Sequence, residues 1–97
     1  MTSSQPYPEH EQPKDAWCDP THLHVVLRDG RTVVTPLWWY PRLEAATPAQ
    51  RKDLTLSLGG IHWDAVDEDL SIRGMLDGWH YPNAVEPKTR DKRSEAA

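Results

Sequence analysis

A chain of 97 residues, 37% of them hydrophobic and 27% charged, has room for one small domain with a compact core. The net charge of −4, with acids and bases interleaved along the body, argues against a dedicated polyanion binder. The single cysteine excludes an internal disulfide, so the sequence predicts a cytoplasmic protein rather than a secreted scaffold. No apolar run approaches the roughly 20 residues of a membrane span, and the N-terminal residues lack the pattern of a signal peptide.

Composition divides the chain into three segments. Residues 1–20 are rich in proline and polar side chains and predict a flexible polar arm, because they offer little apolar surface to offset the entropy of ordering. Trp17 is the exception and is expected to fold back onto the domain. Residues 21–80 predict a single α+β domain. Residues 81–97, where proline and charge return, predict a charged flexible tail.

The segment HLHVVLRDGRTVVTPLW, residues 22–38, predicts a β-hairpin. Two β-rich runs flank Asp29-Gly30, a pair that tolerates the positive φ angles of a two-residue type I′ turn. That loop would pair Val26 with Val33 and place Leu23, Val25, Leu27 and Val34 on one face. The other face would carry His24, Val26, Arg28, Arg31 and Val33. Because this second face is neither wholly polar nor wholly apolar, we expect part of it to meet a helix, a tail or a partner.

Two short helices are predicted after the hairpin. Pro41 suits the first turn of a helix, where its missing N–H has no intrahelical partner. Thr47 is the next expected N-cap, with Pro48 at the first helical position and Gln50 completing a capping box. The second helix should reach about Asp53.

A second strand pair and a third helix complete the predicted fold. LTLSLGGIHW, residues 54–63, alternates apolar and polar side chains around the turn residues Gly59-Gly60. Ser71 can cap a helix whose apolar residues recur at helical spacing up to Trp79, with Gly78 beyond its C-terminus. The sequence thus predicts an α+β fold: a small antiparallel sheet built from a hairpin and a second strand pair, with two or three short helices.

The acidic segment after Trp63 admits several interpretations. Its carboxylates are Asp64, Asp67, Glu68, Asp69 and Asp77. A calcium loop counted from Asp64 would need glycine at the sixth position and glutamate at the twelfth, which are Asp69 and Met75. We interpret the acids as structural residues at a turn and a helix start, where they complement the helix dipole. A partner-binding surface and a metal or catalytic pair remain as alternatives.

Cys18, His22 and His24 have the spacing of part of a zinc site. A structural zinc site has four protein ligands, so His62 or an acid would have to complete it. Ordinary strand histidines are the preferred interpretation. No phosphate loop, nucleophile elbow or Cys-His catalytic pattern is present, so the sequence predicts no catalytic residues, no metal and no cofactor.

The chain is heavy in tryptophan and has no phenylalanine. Tryptophan can replace phenylalanine in a core, and it is also favoured at binding hot spots. We expect most of the aromatic set to serve in the core: Trp38, Trp39, Tyr40, Trp63 and Trp79. The alternative is that at least one of them, Trp39 or Trp79, lies in an interface.

The ordered motifs LRDGR, PLWWYPRLEAATPAQR and GGIHWDAVDEDLSIRGMLDG resemble the bacterial domain of unknown function numbered twenty-four forty-two. The resemblance covers about Leu23 to Gly78, with one departure at Asp64, where many members have proline. It implies a compact α+β domain with a small antiparallel sheet, no established catalytic residues and no known cofactor. It also implies fusion to a helix-turn-helix domain in some members, or a neighbouring small protein as in a toxin–antitoxin pair.

Together these features predict a non-enzymatic interaction module, an antitoxin-like or regulatory subunit that binds a protein partner, for which the product of a neighbouring gene is a candidate. The candidate partner-binding residues are Trp39, Trp79, Arg28, Arg31, Val26 and Val33. One alternative is a nucleic-acid-associated transcriptional regulator, which would use the hairpin arginines and the basic tail residues Lys88, Arg90, Lys92 and Arg93. Any role on DNA would be indirect or would rely on the tails. Another is a mobile-element inhibitor of a host defence complex. A homodimer is compatible with each of these functions.

Overall fold

Two three-stranded antiparallel sheets form the framework of the computed structural model, which describes residues 7–87. The first sheet contains β1 (Pro13–Cys18), β2 (His22–Leu27) and β3 (Thr32–Pro36), with β2 at its centre. The second contains β4 (Leu54–Ser57), β5 (Gly60–Trp63) and β6 (Glu68–Ser71), with β5 at its centre. Within the described residues, the α-helices are α1 (Pro41–Glu44), α2 (Pro48–Lys52) and α3 (Ile72–Leu76). The predicted α+β class is confirmed, and each predicted strand pair gains a third strand.

Strand β1 extends the first sheet into residues 13–18, which the sequence assigned to the flexible arm. It pairs antiparallel with β2, and Cys18 lies opposite Leu23 and Trp17 opposite His24. The local sequence hides this strand, because its lysine, aspartate and proline are weak strand formers. The strand is instead stabilised by backbone hydrogen bonds to β2 and by Ala16 and Cys18, which pack against the core. Trp17 folds back onto the domain as predicted, with its ring stacked on His24 at 5.1 Å between centroids.

The hairpin between β2 and β3 forms, but its register differs by one residue from the predicted one. Val25 lies opposite Val33, and Val26 opposite Thr32. The backbone N–H of Leu27 donates to the carbonyl of Arg31 (2.8 Å), which leaves a three-residue loop ending at Gly30 with φ +98°. A turn followed by a left-handed glycine is a common alternative to the two-residue type I′ loop.

This one-residue shift exchanges the faces of β3. Because side chains alternate along a strand, Val33 turns inward and packs against the core, whereas Val34 turns outward and is 48% exposed. The predicted placement of Val34 on the inner face and Val33 on the outer face is therefore wrong. Thr35 also turns inward, where it accepts a hydrogen bond from the buried hydroxyl of Tyr40 (3.0 Å).

The helix-capping predictions hold. Thr47 accepts from the backbone N–H of Gln50, and the Gln50 side chain accepts from the backbone N–H of Thr47, completing the capping box of α2. The Arg51 guanidinium on α2 then donates to the carbonyls of Leu43 (3.0 Å) and Ala46 (2.8 Å). These carbonyls lie in the last turn of α1 and just after it, so a single arginine supplies extra donors to the C-terminal end of this four-residue helix.

A single apolar core joins the two sheets and the helices. Its largest member, Trp63, is fully buried, and the indole N–H donates to the carbonyl of Arg51 (3.0 Å). The other buried members come from every part of the domain: Leu23, Val25, Leu27, Leu37, Tyr40, Leu43, Ile61, Leu70, Ile72 and Met75. Tyr40 and Trp63 thus serve in the core as expected.

The acidic segment is a turn followed by a strand. Asp64–Val66 form a single 3₁₀ turn, and Asp67 adopts a left-handed conformation (φ 53°) that reverses the chain into β6. The predicted structural turn is present, but strand β6 between it and the helix was not anticipated. Its pairing with β5 buries Glu68 and Leu70 and leaves Asp69 exposed.

Helix α3 begins and ends as predicted. The Ser71 hydroxyl accepts from the backbone N–H of Gly74 (2.9 Å). At the C-terminus, Gly78 (φ +84°) donates to the carbonyl of Met75 (3.1 Å), and Trp79 donates to the carbonyl of Gly74 (2.8 Å). These two bonds make a Schellman motif, which fixes the direction of the chain at Trp79. No helix among residues 7–87 is both long and apolar enough to cross a lipid bilayer.

Candidate functional site

An open cleft of about 690 Å³ lies between the β4–β5 turn, strand β6 and helix α3. Its apolar lining includes Leu58, which is 57% exposed, and the buried side chains of Leu70 and Met75. Tyr7 and Trp79 also line it, 37% and 47% exposed. Strand β4 ends at Ser57, so Leu58 lies in the turn that follows it. Exposed large apolar side chains gathered around a concave surface are typical of an interaction site.

Glycines make this cleft accessible. Gly59, Gly60, Gly74 and Gly78 all line it. A Cβ atom on Gly74 would lie 2.8 Å from the Ser71 hydroxyl and 3.7 Å from the Trp79 Cβ, and one on Gly60 would lie 2.9 Å from the Leu70 carbonyl oxygen. The close approach of backbone segments here depends on the lack of side chains.

Two aromatic residues are fixed at the cleft by contacts outside it. The Trp79 ring packs edge-on against Tyr81 at 4.7 Å between centroids, in addition to the backbone bond that anchors it to α3. The Tyr7 ring covers Gly59, and the Tyr7 carbonyl accepts from the Gln12 side chain (2.6 Å). The cleft therefore presents rigid aromatic surface, which loses little conformational entropy on binding.

Two carboxylates complete the lining. Asp69 bonds with one oxygen to the Nδ1 of His62 (2.9 Å), and Asp77 pairs with Arg73 (3.4 Å). His62 also bonds through Nε2 to Asp64 (3.1 Å). These hydrogen bonds, first from Asp64 and then from Asp69, raise the pKa of His62 above its usual value. Both lining carboxylates are largely exposed, so they remain accessible to a ligand.

Glu68 is the one buried carboxylate with a shifted pKa among the described residues, and it does not line this cleft. One of its oxygens accepts from the Tyr81 hydroxyl (2.8 Å), whereas Oε1 accepts no hydrogen bond within residues 7–87 and lies 3.9 Å from the Arg42 guanidinium. Burial raises its pKa above the usual value. Its contacts tie β6 to Tyr81 and α1, and it opens into none of the three cavities described in this part of the chain.

Of the predicted partner-binding residues, the cleft includes only Trp79. Trp39 is half-buried, packs against the core and contacts Tyr40 and His80 through its ring. Arg28 and Arg31 are exposed at the hairpin tip, where Arg31 pairs with Asp29 (2.9 Å). Val26 and Val33 lie on opposite faces of the first sheet. The predicted set is thus dispersed over the domain.

The predicted nucleic-acid residues Lys88, Arg90, Lys92 and Arg93 lie outside the described residues.

The Cys18–His22–His24 segment folds around Asp19. Asp19 accepts from the backbone N–H of His22 (2.7 Å) and bonds to Nε2 of His24 (2.6 Å). These contacts, led by His24, hold the pKa of Asp19 well below its usual value. Burial raises the pKa of Cys18 to about 11, which keeps its sulfur a protonated thiol at neutral pH. Within residues 7–87, no group of three or more potential ligands is arranged to hold a metal ion.

The remaining cleft residues were not singled out from the sequence. The sequence places Tyr7 in the N-terminal arm, Gly59 and Gly60 in a turn, and Asp69 in the acidic segment after Trp63. The available signal was Leu58 next to Gly59-Gly60, because turns run over the protein surface and can leave an adjacent apolar side chain exposed. Its position opposite Trp79 could come only from the tertiary fold.

Comparison with known proteins places the domain in a family. The family model described as "Protein of unknown function (DUF2442)" matches residues 13–81. The chain belongs to the DUF2442 family. Its match begins at Pro13, the first residue of β1, and ends at Tyr81, whose hydroxyl bonds to Glu68.

A crystal structure of a protein of unknown function from Rhodospirillum rubrum has a fold similar to that of this chain. That protein is 27% identical to this chain, with a TM-score of 0.66, and the match covers 75% of this chain and 93% of the other. None of the curated proteins compared with this chain matches it.

Proposed function

We propose that this DUF2442 domain is a non-enzymatic interaction module, an antitoxin-like or regulatory subunit that binds a protein partner in the cytoplasm. The observation that carries the proposal is the exposed Trp79, which is held by the Schellman motif at the rim of an apolar cleft. Tryptophan side chains at interfaces commonly contribute a large share of the binding free energy, because they bury a large area with few rotatable bonds. The product of a neighbouring gene is the first partner to test.

The geometry favours the cleft over the hairpin surface as the docking site. The hairpin offers Val26 and the arginines at positions 28 and 31, but none of these residues lines any of the three cavities. The cleft combines a concave shape, exposed apolar side chains and rigid aromatic rings, which are the features of an interface centre.

A nucleic-acid-associated regulator is less well supported. Residues 7–87 contain thirteen acidic and seven basic side chains, a net charge of −6, which repels a phosphate backbone. An indirect role through the basic tail stays a prediction, as does inhibition of a host defence complex.

The proposal predicts that Trp79→Ala weakens partner binding by about 2 kcal/mol or more, roughly 30-fold or more, because it removes the central aromatic contact. Isothermal titration of the purified chain with the neighbouring gene product measures this loss. Circular dichroism of the variant should show an intact fold, since Trp79 is outside the core cluster.

Trp17→Ala is the matched control. Trp17 has nearly the same exposure as Trp79, 45% against 47%, but lies on the outer face of the first sheet. The Trp17→Ala variant should bind the partner with an affinity within about twofold of the wild type, because a residue outside the interface contributes little to binding. Equal affinities for the wild type and Trp79→Ala, or a larger loss with Trp17→Ala, would contradict the proposed docking site.

A further inference from the structure

We propose that the cleft takes a lysine or arginine side chain from an extended segment of the partner, with the aliphatic stem against the apolar wall and the cation beside the carboxylates. This proposal rests on the proposed function and adds to it the chemistry of the partner. It is carried by the combination of aromatic, apolar and acidic groups in one cavity, rather than by the acids alone.

The charged residues in the cleft lining are both acidic. Asp69 and Asp77 are both in it, whereas none of its residues is lysine, arginine or histidine. Asp69 uses Oδ1 for its contact with His62, and Asp77 uses Oδ2 for its contact with Arg73. Within residues 7–87, the second oxygen of each carboxylate makes no hydrogen bond, so each has acceptor capacity left for an incoming cation.

The rest of the lining suits the stem of a long basic side chain. Lysine and arginine carry three or four methylene groups that pack on apolar surface while the charge remains in water. The exposed Leu58 provides that surface, and the partly exposed rings of Tyr7 and Trp79 add aromatic surface to which a cation is attracted. An acidic segment would instead place its carboxylates beside Asp69 and Asp77 in a domain that already has an excess of acids.

The occupant should be longer than a single side chain. At about 690 Å³ the cleft has the size of a site for a drug-like molecule. A basic residue flanked by apolar residues fills such a space better than an isolated cation. An extended peptide segment therefore fits both its volume and its mixed lining.

Three blocked tripeptides test the proposal on the full chain: acetyl-Leu-Lys-Leu-amide, acetyl-Leu-Gln-Leu-amide and acetyl-Leu-Glu-Leu-amide. Binding is measured by NMR titration, following the indole N–H of Trp79 and the backbone amides of Gly59, Gly74 and Gly78. The lysine peptide should bind about tenfold more tightly than the glutamine peptide, since a cation–π contact and exposed ion pairs each contribute a few-fold. The glutamate peptide should bind most weakly.

Two double variants distinguish the effect of the cleft carboxylates from the effect of the net charge of the domain. Asp69→Asn with Asp77→Asn should remove most of the preference for lysine over glutamine. The control double variant, Asp15→Asn with Asp53→Asn, changes the net charge equally at residues outside the cleft lining and should keep the preference.

Equal binding of the lysine and glutamine peptides, or tighter binding of the glutamate peptide, would overturn the cation assignment. Such a result would leave the proposed function standing if Trp79→Ala still weakened binding of the protein partner. Shifts of signals from the outer face of the first sheet in place of the cleft would also overturn the assignment.

Discussion

Trp63→Ala is expected to destabilise the domain by roughly 3–5 kcal/mol, a large share of the 5–15 kcal/mol typical of a small domain. The Trp63 side chain is fully buried and is the largest in the core. Its strand neighbours are Leu54 on β4 and Glu68 on β6, so its loss leaves a cavity at the centre of the second sheet. The Arg51 carbonyl also loses its donor.

Urea denaturation followed by far-ultraviolet circular dichroism measures this effect independently of tryptophan fluorescence. Trp17→Ala is again the control, because this residue is 45% exposed and should cost under about 1 kcal/mol. If the two variants unfolded at the same urea concentration, the placement of Trp63 at the centre of the core would be wrong.

Glu68→Ala should cost roughly 2–4 kcal/mol, even though it removes a charged residue. The side chain is fully buried, so truncation opens a void, and the Tyr81 hydroxyl loses its acceptor. Loss of this contact should also loosen Tyr81, against which Trp79 packs. Urea denaturation measures the stability loss, and a stability equal to that of the wild type would contradict the burial of Glu68.

Glu68→Gln removes the ionisable group of residue 68 but nearly keeps the size and shape of the side chain. Burial raises the folded-state pKa of Glu68 above 4.5, so the folded protein binds a proton more readily than the unfolded chain. The stability from this group is therefore complete below pH 4.5 and is lost as pH rises through the folded-state pKa. As the pH rises through the folded-state pKa of Glu68, we expect the wild type to lose stability relative to Glu68→Gln. Parallel stability curves for the two proteins, from unfolding at a series of pH values, would show that Glu68 does not titrate in this way.

The sequence predicts those parts of the fold that depend on neighbouring residues. The capping box at Thr47 and Gln50 and the glycine beyond α3 are local patterns with strict geometric requirements, and both are present. Strands β1 and β6 escaped prediction, because β6 has the sequence Glu-Asp-Leu-Ser and β1 contains proline, lysine and aspartate. Such segments become strands through pairing with a distant neighbour, which no local propensity records.

The hairpin shows how a small local choice changes a surface. Asp29-Gly30 fits both a two-residue and a three-residue loop, and the two differ by one residue in register. That difference decides whether Val33 or Val34 faces solvent. The cleft could not be predicted from the sequence for another reason. Its residues come mainly from positions 7, 58–60 and 69–79, and they meet only in the folded domain.

Hydrogen–deuterium exchange of the chain, alone and in complex with its protein partner, tests the central claim most directly. If Trp79 and the cleft form the docking site, peptides that cover residues 58–60 and 74–79 should exchange more slowly in the complex. Residues 15–18 and 32–36, at the two edges of the first sheet, should then exchange as they do in the free chain. Slower exchange in those two edge strands, with the cleft peptides unchanged, would place the partner on the first sheet and contradict the proposed site.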